Sequence, residues 1–564
     1  QARYQSALDH LSTASERDPD NGRIFYLKGI AQEGLGDYAS AYQSYYRSAH
    51  FEDQLSRAYG RLALLALRSG NALRAVEHVT KAIEQNVLNP RLWALKATAL
   101  RKAGRVDEGL KVARHSLSLD PVSAWAAQEQ FLALKAKGEA ANDAGDVVLQ
   151  LLHNSQTAIE AALNYANAGL YGDAFELLDS VPGGPLTDYY KGFFKDRVGD
   201  QNAAAEWFRK GREQSPKNAF AFRLEGIDAF NTALRHEPND GKAHYYLGLI
   251  YGKVSDVEKA IEHWVRATQL DPGNALAWRD LGLANVSVKE DPEKGLEYYE
   301  HAFKVAPDDS RILLELDRVK ARLGVSSEER LAFLNQHLKT VETRDALLGN
   351  LVDLLLEEKS YREAARYLAN HHFNSWEGNY SIHNAYMEAY IGLAREAKDP
   401  REALKHYQQA CEYPMNLEVA PRAPNLRGFL YYPMALLHKQ LGDEVESTRL
   451  LRITAGEASQ APTLGTYYQA LALKELGEVD EAKGLLQSLN EEAKLLVAGD
   501  SEHFRRMNDE DQKALGHFYR SIYWQGVGDQ AKADEELKQA EALEPAIERQ
   551  AVIIAQRTFA RANQ

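Results

Sequence analysis

A chain of 564 residues exceeds what one compact core supports, so several domains or a repeat array are expected. Hydrophobic residues at 45% and charged residues at 26% are the balance of a folded protein and exclude disorder as the main state. A net charge of −14 excludes an extended basic face, so neither nucleic acid nor an anionic membrane is expected as a partner. The short basic run of Arg101, Lys102 and Arg105 reads as a solvated helix face. One cysteine, Cys411, permits no intrachain disulfide and no multi-cysteine zinc site, and no metal or cofactor is expected. Cys411 itself reads as a small buried hydrophobe, and such low cysteine usage fits a reducing compartment such as the cytoplasm, although many secreted bacterial proteins share it, which leaves the location open. No apolar run approaches the roughly 18 residues of a membrane span. Prolines number only 17, which suits long helices because Pro interrupts the backbone ladder.

From the start of the chain, Ala7, Leu11, Ala14 and Pro19 have the pattern of a second helix and its exit in a helix–turn–helix unit. The matching first helix would lie before Gln1, so the chain reads as the C-terminal part of something longer, the alternative being a shorter natural capping helix. Beyond it a period emerges. Gly29, Ala63 and Ala97 stand 34 residues apart, as do Ala41, Ala75 and Gly109, and again Gly248 and Gly282. That period belongs to the tetratricopeptide repeat, a helix–turn–helix unit.

The clearest unit runs from Gly241 to Pro272. Small residues at Gly248, Ala260 and Ala267 let two helices approach, and Tyr251 and Trp264 fill the space beside them. Asp271-Pro272 is expected to stop the second helix and start the next unit. The following unit, with Gly282, Gly295, Tyr299, Ala302 and Pro307, carries one inserted residue. Further copies stand at Gly192, Ala204, Phe208 and Pro216, at Trp93, Ala97, Ala113 and Pro121, and at Ser521, Ala533, Leu537, Ala540 and Pro545. Gly36, Gly70, Gly104, Gly199, Gly442, Gly477 and Gly528 fall where the turn within a unit needs a left-handed backbone. The expected fold is all-α, a right-handed α-solenoid of tetratricopeptide-type repeats.

Five segments are expected: N-terminal repeats over 1–136, irregular repeats over 137–240, regular repeats over 241–368, a repeat with two long loops over 369–428, and C-terminal repeats with a cap over 429–564. The rhythm drifts at Lys137–Asn154 around Gly145 and Asp146. Ala219–Pro238 reads as one long helix between two proline exits. The segment 369–428 holds Asn370-His371-His372-Phe373-Asn374-Ser375-Trp376-Glu377-Gly378-Asn379-Tyr380 and then Glu412-Tyr413-Pro414-Met415-Asn416-Leu417. Long loops on a rigid scaffold tend to carry function. Trp376 can stack on a sugar ring, and Glu377 is the one candidate acid or base. Asn379, Tyr380, His371 and His372 complete a candidate ligand site. The adjacent histidines point apart on regular elements, which weighs against joint metal ligation. The bland alternative has Trp376 plugging a gap between repeats and Glu377 capping the next helix. The sequence carries no Gly-rich phosphate loop, zinc-protease histidine pair or serine nucleophile elbow.

Segments spread along the chain carry a more specific resemblance. They include Tyr26-Leu27-Lys28-Gly29, Ala243-His244-Tyr245-Tyr246-Leu247-Gly248, Leu314-Glu315-Leu316-Asp317, Phe373-Asn374-Ser375-Trp376-Glu377-Gly378 and Tyr413-Pro414-Met415-Asn416-Leu417. In these the chain resembles the C-terminal helical half of large, mostly bacterial proteins whose N-terminal half is a β-supersandwich domain of the galactose-mutarotase type. The resemblance implies a carbohydrate-related setting and a β-domain as partner. Asn379 departs from the further glycine that follows Trp-Glu-Gly in that family, and no counterpart of the β-domain is in this sequence. Three functions follow: a scaffold that binds a protein partner or its own N-terminal β-domain, the helical half of a carbohydrate-active enzyme with Trp376 and Glu377 at a sugar site, or a homo-oligomeric structural protein.

Overall fold

The computed structural model describes residues 4–374, 382–419, 427–457 and 461–560, excepting the side chains of 553 and 555–560. Among the described residues there are 32 α-helices and no strand. The all-α solenoid class expected from the 34-residue period is the fold that forms. The helices follow one another as antiparallel pairs, and contacts run mainly between sequence neighbours. The chain divides into two compact units, Gln1–Ala306 and Pro307–Gln564.

In the first unit, Tyr4–Arg17 is followed by the pairs Gly22–Gly34 with Tyr38–Ser48, Leu55–Arg68 with Ala72–Gln85, and Pro90–Lys102 with Val106–Leu119. Then come Ala124–Lys137 with Asn142–Leu151, Ser155–Asn167 with Tyr171–Asp179, and Pro185–Arg197 with Gln201–Glu213. The lone helix Glu225–His236 precedes Gly241–Lys253 with Val257–Leu270 and Ala275–Ser287 with Pro292–Val305. In the second unit the pairs include Asp345–Glu357 with Tyr361–Asn370, Ile382–Glu396 with Pro400–Ala410, Gly428–Gln440 with Glu444–Ala455, Leu464–Glu475 with Val479–Ala498, and Asp509–Val527 with Gln530–Leu543. Ile547–Ala560 ends it.

Short polar side chains start these helices. Asn21, Asp37, Asn71, Asn89, Asp240 and Asn274 each accept a backbone N–H of the first turn. The seven turn glycines named from the sequence all have positive φ, from 78° to 90°. Pro272 does not open the next helix. It lies in the connecting turn, and Asn274 caps Ala275–Ser287 two residues later.

Within a pair, one contact recurs. A Cβ placed on Gly29, Gly192, Gly248 or Gly282 would overlap the ring of Tyr45, Phe208, Trp264 or Tyr299 respectively. The first three glycines precede their ring by 16 residues and the fourth by 17. The extra residue sits in the turn, where Glu290 takes φ 56°. Small-into-large packing thus sets the closest approach of the two helices.

Ala219–Pro238 is not one long helix. Residues 219–223 are non-helical, and the helix starts at Glu225. Ala219 and Ala221 are buried while Phe220 and Phe222 face solvent, a period of two that cannot continue the stripe of a helix. Nor is Arg101-Lys102 a solvated strip. Arg101, only 13% exposed, donates to both oxygens of Glu129 at 2.7 and 2.9 Å and pairs with Asp173 at 3.0 Å, and Lys102 also pairs with Asp173. Of the three, Arg105 is the one that behaves as read, since it pairs only with exposed Glu108. Cys411 is half-buried, and burial pushes its thiol up.

Replacing Gly248 with Ala should destabilise the first unit by about 1–3 kcal/mol, because the added methyl displaces the Trp264 indole. Gly172→Ala, whose Cβ would meet open space, should be neutral or stabilising by up to ~1 kcal/mol. Urea unfolding followed by circular dichroism compares the two.

Candidate functional site

The two loops singled out in the sequence meet in the second unit. The helix Asp345–Glu357 begins on Asp345, which is 9% exposed. Its carboxylate accepts hydrogen bonds from the Asn374 backbone N–H and Nδ2, both at 2.8 Å, and lies 2.8 Å from His371 Nε2. Burial pushes Asp345 up, but the bonds from His371 and Asn374 outweigh it and hold the carboxyl below its ordinary value.

The second loop closes on the first through Asn416. Its Nδ2 donates to the carbonyls of Leu368 and His371 at 2.8 and 2.7 Å, and its own carbonyl accepts the Phe373 N–H at 2.8 Å. Phe373 and Leu417 are buried at 1% and 0% exposure beside this staple. Tyr413 stacks on His383 with ring centroids 3.9 Å apart, and His383 Nε2 lies 2.9 Å from the Glu412 carbonyl. Burial lowers the His383 pKa, so the neutral ring donates through Nε2.

Of the candidate residues, His371 and His372 are described, and they do not converge. His371 is engaged by Asp345, whereas His372 Nε2 lies 2.9 Å from Glu418 Oε1. Trp376, Glu377, Asn379 and Tyr380 lie outside the described residues. Among the described residues no three His, Cys, Asp or Glu side chains form a metal-binding group. The arrangement is a clamp that ties residues 368–374 to Asp345 on one side and Asn416 on the other. Asn416 stands in the quoted Tyr-Pro-x-Asn-Leu segment. Asp345 carries no local signal, because its partners lie 26 and 29 residues away.

Two further places have site-like chemistry. In the first unit, Tyr42, Gln43, Tyr46, Arg47, His50 and Arg74 line an open recess of about 480 Å³. His78 lies beneath it, 3.1 Å from the Tyr42 hydroxyl, and burial with Arg74 and Lys81 nearby lowers its pKa to about 4. The tyrosines at 42 and 46, four residues apart, are the sequence trace of this recess.

In the second unit, the last helix lies against the first helices of several pairs. Ile547 and Ala551, at 1% and 0% exposure, pack into the core shared with Leu464–Glu475 and Asp509–Val527. Arg549 pairs with Asp353 of Asp345–Glu357 and, at 2.8 Å, with Glu388 of Ile382–Glu396. Glu548 meets Arg395 at 2.9 Å. Burial, with Asp353, Glu548 and Glu357 nearby, pushes Glu388 up to about 7 against the pull of Arg549. No helix among the described residues is long and apolar enough to cross a membrane.

Models of the tetratricopeptide repeat match residues 1–54, 61–124 and 241–274, so the chain carries such repeats there. It is similar to the cellulose synthase operon protein C of Pseudomonas fluorescens (strain SBW25), 28% identical over 187 residues, 31% of this chain and 13% of that protein. It is also similar to the photosystem I assembly protein Ycf3 of Cuscuta gronovii, 31% identical over 72 residues, 12% of this chain and 43% of that protein. The same protein of Synechococcus sp. (strain CC9605) is 27% identical over 88 residues, 15% and 51% of the two chains. The chain therefore spans between 13% and 51% of these relatives. Among solved structures it is similar to YrrB, a TPR protein with an unusual peptide-binding site, at 20% identity and TM-score 0.16, covering 42% of this chain and 97% of that one. MamA is similar at 19% identity and TM-score 0.16, covering 37% and 93%.

Asp345→Asn should cost the second unit about 1–3 kcal/mol at neutral pH, since it removes the charged acceptor of three hydrogen bonds. A carboxyl lowered in the fold stabilises above its unfolded pKa and loses that contribution as pH falls through the folded one. The gap between wild type and variant should therefore close below the ordinary aspartate range, as urea titrations at stepped pH would read.

Proposed function

We propose that this chain is a protein-interaction and assembly scaffold whose first-helix surfaces receive a segment of a partner. One observation carries the reading: the first helices of the second unit already hold a helix, by burial of Ile547 and Ala551 and by the ion pairs of Arg549. A surface that binds a helix within its own chain has the shape and charge for the same element from elsewhere. The similarity to an assembly protein of photosystem I agrees in kind, over a short stretch of repeats. An N-terminal β-domain of the resembling lineage fits as one such partner. The test is affinity purification of the chain from its source cells at physiological salt. A stoichiometric partner, cross-linked to the first helices, is expected; its absence would sink the reading.

A second reading gives the loop after Asn374 a role at a carbohydrate site. It is favoured by the clamp of Asp345, His371 and Asn416, which holds the chain at His371–Asn374, just before Trp376 and Glu377 in the sequence. Trp376→Ala and Glu377→Gln should each weaken oligosaccharide binding by at least tenfold, about 1.4 kcal/mol, in titration calorimetry. Equal binding by both variants and the wild type removes this role.

A further inference from the structure

The helix Ile547–Ala560 is held from two opposite sides. Ile547 and Ala551 are four residues apart and form one stripe, which faces the core of the last repeats. Arg549 lies midway between them in sequence, some 200° around the helix from Ile547, and reaches Asp353 and Glu388. A helix that merely capped the final pair would be engaged on one face. This one fills a cleft, with Leu464–Glu475 and Asp509–Val527 against one side and Asp345–Glu357 and Ile382–Glu396 against the other.

The cleft has a definite chemistry. Asp353 and Glu388 stand on neighbouring first helices and share Arg549, while Glu357 adds negative charge. Two half-buried carboxylates this close to one another repel when no cation lies between them, so the site favours a positive partner. A planar guanidinium can serve two carboxylates at once, which a lysine ammonium does less well. At the edge, Arg395 meets Glu548, with Tyr361, Tyr407 and Tyr468 around the pair. That exposed pair contributes little energy but sets the direction of the incoming helix.

We propose that this cleft is the docking site for a helical segment of a protein partner, one with an arginine opposite an apolar stripe of four-residue spacing and a glutamate beside that stripe, and that Ile547–Ala560 is the built-in occupant it displaces. The proposal rests on the scaffold reading and adds the partner's chemistry and a means of regulation. Binding of such a partner requires release of the in-chain helix, so its apparent affinity is reduced by the fraction of chains in which the cleft is open.

The test uses the full chain with Glu548→Ala and Arg549→Ala together, and a fluorescein-labelled peptide of residues 543–554. Hydrogen exchange at 547–552 should accelerate at least tenfold in the double variant while residues 345–543 keep their protection. The peptide should bind the double variant at least tenfold more tightly than wild type by anisotropy. Adding Asp353→Asn and Glu388→Gln to the double variant, or Arg549→Ala to the peptide, should abolish that gain. Unchanged exchange at 547–552, or no anisotropy change up to about 0.2 mM peptide, overturns the proposal. So does a released chain that doubles its mass in light scattering and ignores the peptide, since the occupant is then a second copy. A stoichiometric cellular partner retained by the Asp353→Asn, Glu388→Gln chain would leave the scaffold reading standing and remove this one.

Discussion

Four helix pairs of the first unit depend on one steric device, a glycine on the first helix of a pair facing a ring on the second. Where Gly29, Gly192, Gly248 and Gly282 stand, the rings of Tyr45, Phe208, Trp264 and Tyr299 lie against bare backbone. No side chain larger than hydrogen fits, so helix separation within the pair is fixed by the chain itself. Each ring is buried, and its burial contributes on the order of 2–3 kcal/mol to the contact. Because each of these pairs is set by its own residues, the array grows by adding pairs. The extra residue before Tyr299 shows the tolerance: the turn absorbs it at Glu290, and the glycine–ring contact survives.

With the pairs so fixed, the first helices are left to make contacts beyond their neighbours, and the two units use them differently. In the first unit they are tied to one another. Arg68 donates to the Tyr171 hydroxyl and to the carbonyls of Ala166 and Asn167, about a hundred residues away in sequence. Arg101 and Tyr165 both converge on buried Glu129. Such buried networks tie each first helix to others of the unit and favour one arrangement. In the second unit the corresponding carboxylates, Asp353 and Glu388, are matched by a residue from the end of the chain.

The candidate loop shows where local reading stops. His371 and His372 are adjacent in the sequence, but the fold gives each a different carboxylate. Their actual partners, Asp345 and Glu418, come from other helices and loops, and no spacing rule connects them. Asn416 was legible as part of an unusual segment, but its task as a staple needed the carbonyls of Leu368 and His371 to be brought to it. The same holds for Arg101, read as solvated because its own neighbours are basic, yet buried against Glu129 once the next pair packs on it.

The sequence by itself determined the repeat: its period, its turn glycines and its glycine–ring pairing all depend on residues within one 34-residue unit, where chain geometry dictates what meets what. It also determined the caps, since an Asn or Asp reaches only the backbone of its own next turn. Tertiary structure alone decided which polar groups lose their water. That choice placed Asp345 at a clamp, turned Ala219–Leu224 away from helix, and set Arg549 between Asp353 and Glu388. Burial of charge is a property of the assembled surface, summed over residues hundreds of positions apart, and no local pattern encodes that sum.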